Sequence, residues 1–116
     1  MIAIIDGCGA NLASIQFALD RLNKKSIVTT DPELIKNANH VILPGVGTAH
    51  HAMKKLEELN LINIIRNLQQ PVLGICLGMQ ILYEYSMEGE VKCLGIFSGS
   101  IEPLPRNVGL VMPHMG

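Results

Sequence analysis

An α/β fold with a doubly wound, mostly parallel sheet is predicted by three observations. Short apolar runs alternate along the chain with longer amphipathic segments, which is the pattern of repeated βαβ units. The first run, Ile2 to Ile5, has no polar face, as a strand covered on both sides should not. Glycine-rich turns follow Leu43 and Ile75, where runs end, so candidate sites gather at the carboxyl ends of the strands.

Each element follows from its own residues. Gly7 and Gly9 turn the chain after the first strand, and Asn11 is placed to cap a helix whose apolar positions are Leu12, Ile15, Phe17, Leu19 and Leu22. Ser26 to Thr29 is the second strand. Asp31-Pro32-Glu33 supplies an N-cap, a proline at the first helical position and an acidic first turn, opening a short helix through Ile35 and Lys36. His40 to Leu43 is the third strand, ending at Pro44. Helical segments then carry Met53, Leu56, Leu59, Ile62, Ile65 and Leu68, and Val72 to Ile75 is the fourth strand. Ile81 to Glu84 reads as helical. Further on, Glu88-Gly89-Glu90 is a turn, and strands are expected at Leu94 to Phe97 and Gly109 to Met112, around the proline-rich Pro103-Leu104-Pro105.

Composition narrows the function. The 116 residues fit one domain, and 48% hydrophobic content is ample for its core. Nine basic residues against ten acidic leave a formal charge of -1, with no basic run to attract nucleic acid or an anionic membrane. No apolar run is long enough to span a bilayer, and the N-terminus lacks the basic flank of a signal peptide, so a cytoplasmic protein is expected. Cys8, Cys76 and Cys93 show no metal-type spacing; they are expected to be free thiols, with no metal bound.

The chemistry concentrates at Gly74-Ile75-Cys76-Leu77-Gly78, between the fourth strand and a helix. A nucleophile flanked by small residues at that junction is the pattern of a nucleophile elbow, a sharp turn that lifts a reactive side chain above the sheet edge. Glycines at positions 74 and 78 let strand and helix approach closely. Cys76 would sit at the helix N-terminus, where unpaired N–H groups favour the thiolate, and the Leu77 N–H is placed as an oxyanion donor. The other reading is a buried core cysteine, which the two glycines disfavour.

Pro44-Gly45-Val46-Gly47-Thr48 is a second glycine-rich turn at a strand end. It serves either as a second oxyanion strand, donating an N–H at Val46 or a neighbour, or as a plain strand-to-helix connection. It has neither the Walker spacing nor a dinucleotide fingerprint. Gln80 falls one turn after Cys76 and can meet a polar substrate group, or it is a partly exposed helix residue. Among the four histidines, only His114 follows the nucleophile in chain order. An untethered terminus would position it poorly as a base.

Together the elbow with its Met79-Gln80 extension and the Leu43-Pro44-Gly45-Val46-Gly47-Thr48 turn resemble the class I glutamine amidotransferases. Ile5-Asp6, Gly9-Ala10-Asn11-Leu12 and Pro113-His114-Met115-Gly116 extend the likeness along essentially the whole chain. The resemblance implies a flavodoxin-like sheet and hydrolysis of glutamine through a Cys76 thioester to glutamate and ammonia, with no cofactor. It implies Leu77 and Val46 as backbone oxyanion donors, and Gly45, Gly47 and Gln80 as substrate-binding residues. It further implies a heterodimer in which His114 and Met115 face a separate (β/α)8-barrel cyclase subunit that consumes the ammonia.

One departure matters. The family's His-Pro-Glu motif is absent, and no His-x-Glu occurs anywhere in the sequence. The expectation is therefore one domain over residues 1–116, incomplete at its C-terminus and inactive alone. The alternatives are another elbow-cysteine α/β hydrolase or a binding module that kept the fold and lost catalysis.

Overall fold

A computed structural model of the chain describes residues 1–87 and 90–102. Its elements are β1 (Ile2–Ile5), α1 (Leu12–Arg21), β2 (Ser26–Thr29), α2 (Pro32–Asn37), β3 (His40–Gly45), α3 (Ala49–Glu58), α4 (Ile62–Arg66), β4 (Val72–Cys76), α5 (Leu77–Gln80), β5 (Tyr83–Ser86), β6 (Val91–Lys92) and β7 (Phe97–Ile101). Four strands form a parallel sheet in the order β2-β1-β3-β4, the flavodoxin-like order. The strand order reverses between β1 and β3, and a ligand crevice is expected above that point.

The two faces of this sheet are covered unequally. Ala3, Ile5, Val41 and Leu43 alternate onto one face and join a single core with Ile35 of α2, Ala52, Met53 and Leu56 of α3, Ile65 of α4 and Leu77 of α5. Ile4 and Ile42 point to the other face, which α1 covers because successive right-handed crossovers in opposite directions put α1 and α2 on opposite sides. That cover is thin: α1 has no buried residue, and Leu73 of β4 is 57% exposed.

Several elements differ from the sequence expectation, each for a physical reason. Phe17 and Leu22 were expected on the buried stripe of α1 and are exposed, because the helix touches the sheet only through a narrow line that leaves Leu12, Ile15 and Leu19 half-buried. Asn11 occupies the N-cap position without a side-chain cap bond. β3 continues past the expected stop at Pro44. The Val41 N–H donates to the Pro71 carbonyl, so alternation turns the Pro44 nitrogen toward β1, whose pairing with β3 stops at Ile42. The missing donor therefore breaks no ladder bond.

The helix expected through Glu84 stops after one turn at Gln80. The carbonyls of Ile81, Leu82, Tyr83 and Glu84 accept instead from the N–H groups of Leu94, Ile96, Phe97, Gly95 and Cys93, a long-range set that pulls the chain into β5. Those same bonds keep Leu94 to Ile96 out of a strand, which begins only at Phe97. β5 is the centre of a small second sheet, antiparallel to β6 and parallel to β7. Glu88 and Gly89 of the expected turn, Pro103 to Pro105, and the strand expected at Gly109 to Met112 lie outside the described residues. The Asp31 cap is as expected, its Oδ1 accepting the Glu33 N–H at 2.9 Å. Among the described residues, no helix is long and apolar enough to cross a membrane.

Candidate active site

Three loops meet at the carboxyl edge of the parallel sheet: residues 6–11 after β1, 46–48 after β3, and the turn from β4 into α5. Cys76 stands in that last turn with φ 53° and ψ -122°, a conformation that costs a non-glycine residue on the order of 1–3 kcal/mol and persists only where the surroundings enforce it. Its thiol is free and exposed.

The enforcement comes from close backbone packing around α5. A Cβ on Gly78 would collide with the Leu43 carbonyl of β3. One on Gly74 would lie 2.7 Å from the Met79 Cα and 2.8 Å from its nitrogen. The single turn of helix is thus wedged against β3 and β4 with no side chain between, and Leu77, only 6% exposed, anchors it in the core. Being one turn long, α5 offers Cys76 the local N–H groups of its first residues, Leu77 foremost.

Gly45, expected to bind substrate, is buried, and a Cβ there would lie 3.0 Å from both the Cys8 Cβ and the Gly78 nitrogen, so its small size serves close packing. Gly47 is the reverse case: nothing lies within 4 Å of the space its Cβ would occupy, and its φ of +92° is the reason for glycine. Val46 exposes its side chain, but its N–H is already donated to the Cys8 carbonyl at 3.0 Å. As an oxyanion donor it must first give up that bond. Gln80 ends α5, partly buried, four residues after Cys76.

The histidines divide by edge. His40 opens β3 at its amino end, five residues before Gly45, the register partner of Cys76. At about 3.3 Å per residue, that places it roughly 16 Å from the elbow. His50 and His51 are exposed in the first turn of α3, on the carboxyl side, with the Thr48 hydroxyl capping the His51 N–H at 3.2 Å. His114 and Met115 lie outside the described residues.

Cys8 is the residue that sequence reasoning passed over. Flanked by Gly7 and Gly9 at the end of β1, it holds the 46–48 loop through its carbonyl and packs its side chain against Gly45. Burial pushes its thiol up to about 11. Burial also raises the Cys93 thiol, partly offset by a backbone hydrogen bond from Ser86. Two grooves of about 430 and 540 Å³ flank α4, sharing Asn63 and Asn67, and neither contains an elbow residue. In the first of them the Gln70 amide caps α2 by donating to the carbonyls of Ile35 and Ala38.

Comparison with known proteins finds relatives along the whole chain. The family model for glutamine amidotransferase class-I matches residues 5–104. The imidazole glycerol phosphate synthase subunit HisH of Mannheimia succiniciproducens is 54% identical over 116 residues, covering 100% of this chain and 59% of the relative. A subunit HisH 2 from Legionella pneumophila strain Paris is 51% identical over 116 residues, 58% of its length. The HisH subunit of Haemophilus influenzae strain Rd is 52% identical over 115 residues, 57% of its length. The chain thus spans less than two thirds of the curated relatives it matches.

Proposed function

This chain belongs to the glutamine amidotransferase class-I family, and from that premise we propose that it hydrolyses glutamine at Cys76. One observation carries the proposal: an exposed thiol at positive φ on a strand-to-helix turn, held there by Gly74 and Gly78. The Cys76 thiolate attacks the side-chain carboxamide carbon of glutamine, and the oxygen that becomes negative accepts the Leu77 N–H. The tetrahedral adduct collapses with protonation of the leaving nitrogen, releasing ammonia and a thioester. Water then attacks the thioester, giving glutamate and returning the thiol. Gly47 leaves space for the substrate beside the elbow, and Gln80 pairs with one of its polar groups. Val46 adds a second donor once the Cys8 carbonyl releases it.

The relatives are named as subunits of imidazole glycerol phosphate synthase, and we extend that role to this chain. It supplies ammonia, in the cytoplasm, to a separate (β/α)8-barrel cyclase subunit in histidine biosynthesis, and His114 and Met115 face that partner. Proton transfer to the leaving nitrogen needs an imidazole near Cys76. Since the 116 residues contain no His-x-Glu, residues 1–116 alone turn over glutamine poorly.

The test uses the complex with the cyclase. Cys76→Ser abolishes synthesis from glutamine and leaves synthesis from ammonium salts intact, because the hydroxyl is a far weaker nucleophile while the ammonia-using step lies on the other subunit. Loss of both activities in a well-folded complex contradicts the division of labour. In the same assay, residues 1–116 alone releasing glutamate at the rate of the complex would place the base on His114, His50 or His51.

A further inference from the structure

A concentration of uncompensated positive charge lies at the amino edge of the parallel sheet, opposite Cys76. A groove of about 380 Å³ opens there between the start of β1, the turn from α1 into β2 and the start of β3, lined by Met1, Ile2, Lys24, Lys25, Asn39 and His40. None of these residues is acidic. Among the described residues the one ion pair is Lys36 with Glu33 on α2, so neither Lys24 nor Lys25 has a carboxylate partner.

Local structure holds the walls of the groove in place. α1 ends in a Schellman motif: the Lys24 N–H donates to the Leu19 carbonyl at 2.9 Å and the Asn23 N–H to the Asp20 carbonyl at 3.0 Å, with Asn23 at φ 59°. That turn brings two consecutive lysines against the strand starts. The Lys25 carbonyl accepts the Ile2 N–H at 3.1 Å, which ties it to β1. Asn39 is bound to Met1 twice, its N–H donating to the Met1 carbonyl at 3.0 Å and its Oδ1 accepting from the Met1 amino group at 2.8 Å. The backbone of the groove is therefore fixed before a ligand arrives, which lowers the ordering cost of binding.

We propose that this groove binds a phosphate monoester. The two lysine ammonium groups match the two negative charges of the ester, and the His40 imidazole supplies a further N–H donor. The groove is larger than a phosphate group and falls within the size range of small-molecule sites, so the organic part of the ester lies over Met1 and Ile2. Nucleic acid fits worse, because it needs a basic stripe extending well beyond one groove, and the chain carries a net charge of -1 with no such run. The groove shares no residue with the elbow, and the proposal does not rest on glutamine hydrolysis at Cys76.

The experiment titrates isotope-labelled full-length protein with phenyl phosphate at constant ionic strength, at a pH where the ester is a dianion, and follows amide shifts by NMR. The expected result is saturable shifts at Ile2, Lys24, Lys25, Asn39 and His40, half-complete at about 1 mM, with the Cys76 turn unmoved. Inorganic phosphate moves the same amides with lower affinity, and benzoate, with a single charge, binds more weakly still. Joint Lys24→Gln and Lys25→Gln substitution weakens binding about tenfold, and the paired arginine substitutions retain it. Lys54→Gln with Lys55→Gln makes the same change of net charge on α3 and leaves affinity unchanged. Equal weakening by the α3 pair would overturn the site, as would shifts scattered over the surface or the absence of saturation. Equal affinity for inorganic phosphate and phenyl phosphate would overturn the assignment to an ester.

Discussion

The β4–α5 turn and the β3–α3 loop lie side by side at one edge of one sheet, both depend on glycine, and they depend on it for opposite reasons. Around the turn, glycine is required by what surrounds it: the place of a Gly78 side chain is taken by the Leu43 carbonyl, and that of Gly74 by the Met79 backbone. In the loop, Gly47 has no neighbour within 4 Å and is required by its φ of +92°. A crowded glycine holds a strained cysteine in place, whereas an uncrowded one keeps a surface open. Strain at Cys76 is tolerable because the wedge beneath it is rigid, and the loop beside it is tied to the end of β1 by the bond from the Val46 N–H to the Cys8 carbonyl.

Substitution at Gly78 tests this contrast most severely. Gly78→Ala places a methyl group on backbone that cannot retreat, since both Leu43 and Pro44 are buried in the sheet. A loss of at least about 3 kcal/mol is expected, at the upper end of overpacking costs, with the elbow released as the helix lifts. Urea unfolding followed by circular dichroism checks it. A variant within about 0.5 kcal/mol of wild type would mean that α5 is not wedged.

Gly47→Ala should behave differently. The methyl group meets open space, so stability falls only by the conformational cost of positive φ, about 1–2 kcal/mol. Turnover falls further, roughly 100-fold or more, if the loop shapes the pocket for the developing oxyanion. Parallel measurement of urea midpoint and kcat/KM separates the two effects. Equal losses in both would make Gly47 an ordinary turn residue.

The buried Cys8 thiol has a pH signature. Burial raises the Cys8 thiol from its ordinary 9.0 to about 11, so the folded state holds its proton where the unfolded chain has lost it. Stability contributed by the neutral thiol is complete below pH 9 and declines as pH rises from 9 to 11, by roughly 2 kcal/mol in all. Cys8→Ala should flatten this decline in thermal unfolding scans. An equally steep alkaline loss in the variant would assign it to other groups.

Much of the fold was legible from residues 1–80. Apolar runs against amphipathic stretches located β1 to β4 and the helices between them, because that periodicity is a local property of the chain. The parallel pairing followed, since a helix between two strands leaves no other short connection. The reading failed where distant partners decide. Tyr83 to Ser86 carry a sequence as suited to a helix as to a strand, and the choice belongs to N–H groups about ten residues further on. Phe17 satisfies the helical stripe and is 61% exposed, because apolar spacing says which side of a helix is greasy and not whether anything covers it.

At the candidate site the same division holds. The elbow motif by itself located the sharp turn at Cys76 and the need for glycine at 74 and 78, since a strand-to-helix turn of that sharpness is specified within five consecutive residues. Which glycine is packed and which is free, and where the Val46 N–H is spent, were decided only by the tertiary structure. Those facts depend on Cys8 and Gly45 meeting across a separation of 37 residues, and on α5 crossing β3 at Leu43. A local pattern encodes the conformation a segment can adopt. The neighbours that make that conformation necessary come from elsewhere in the chain, and only the assembled sheet brings them within 3 Å.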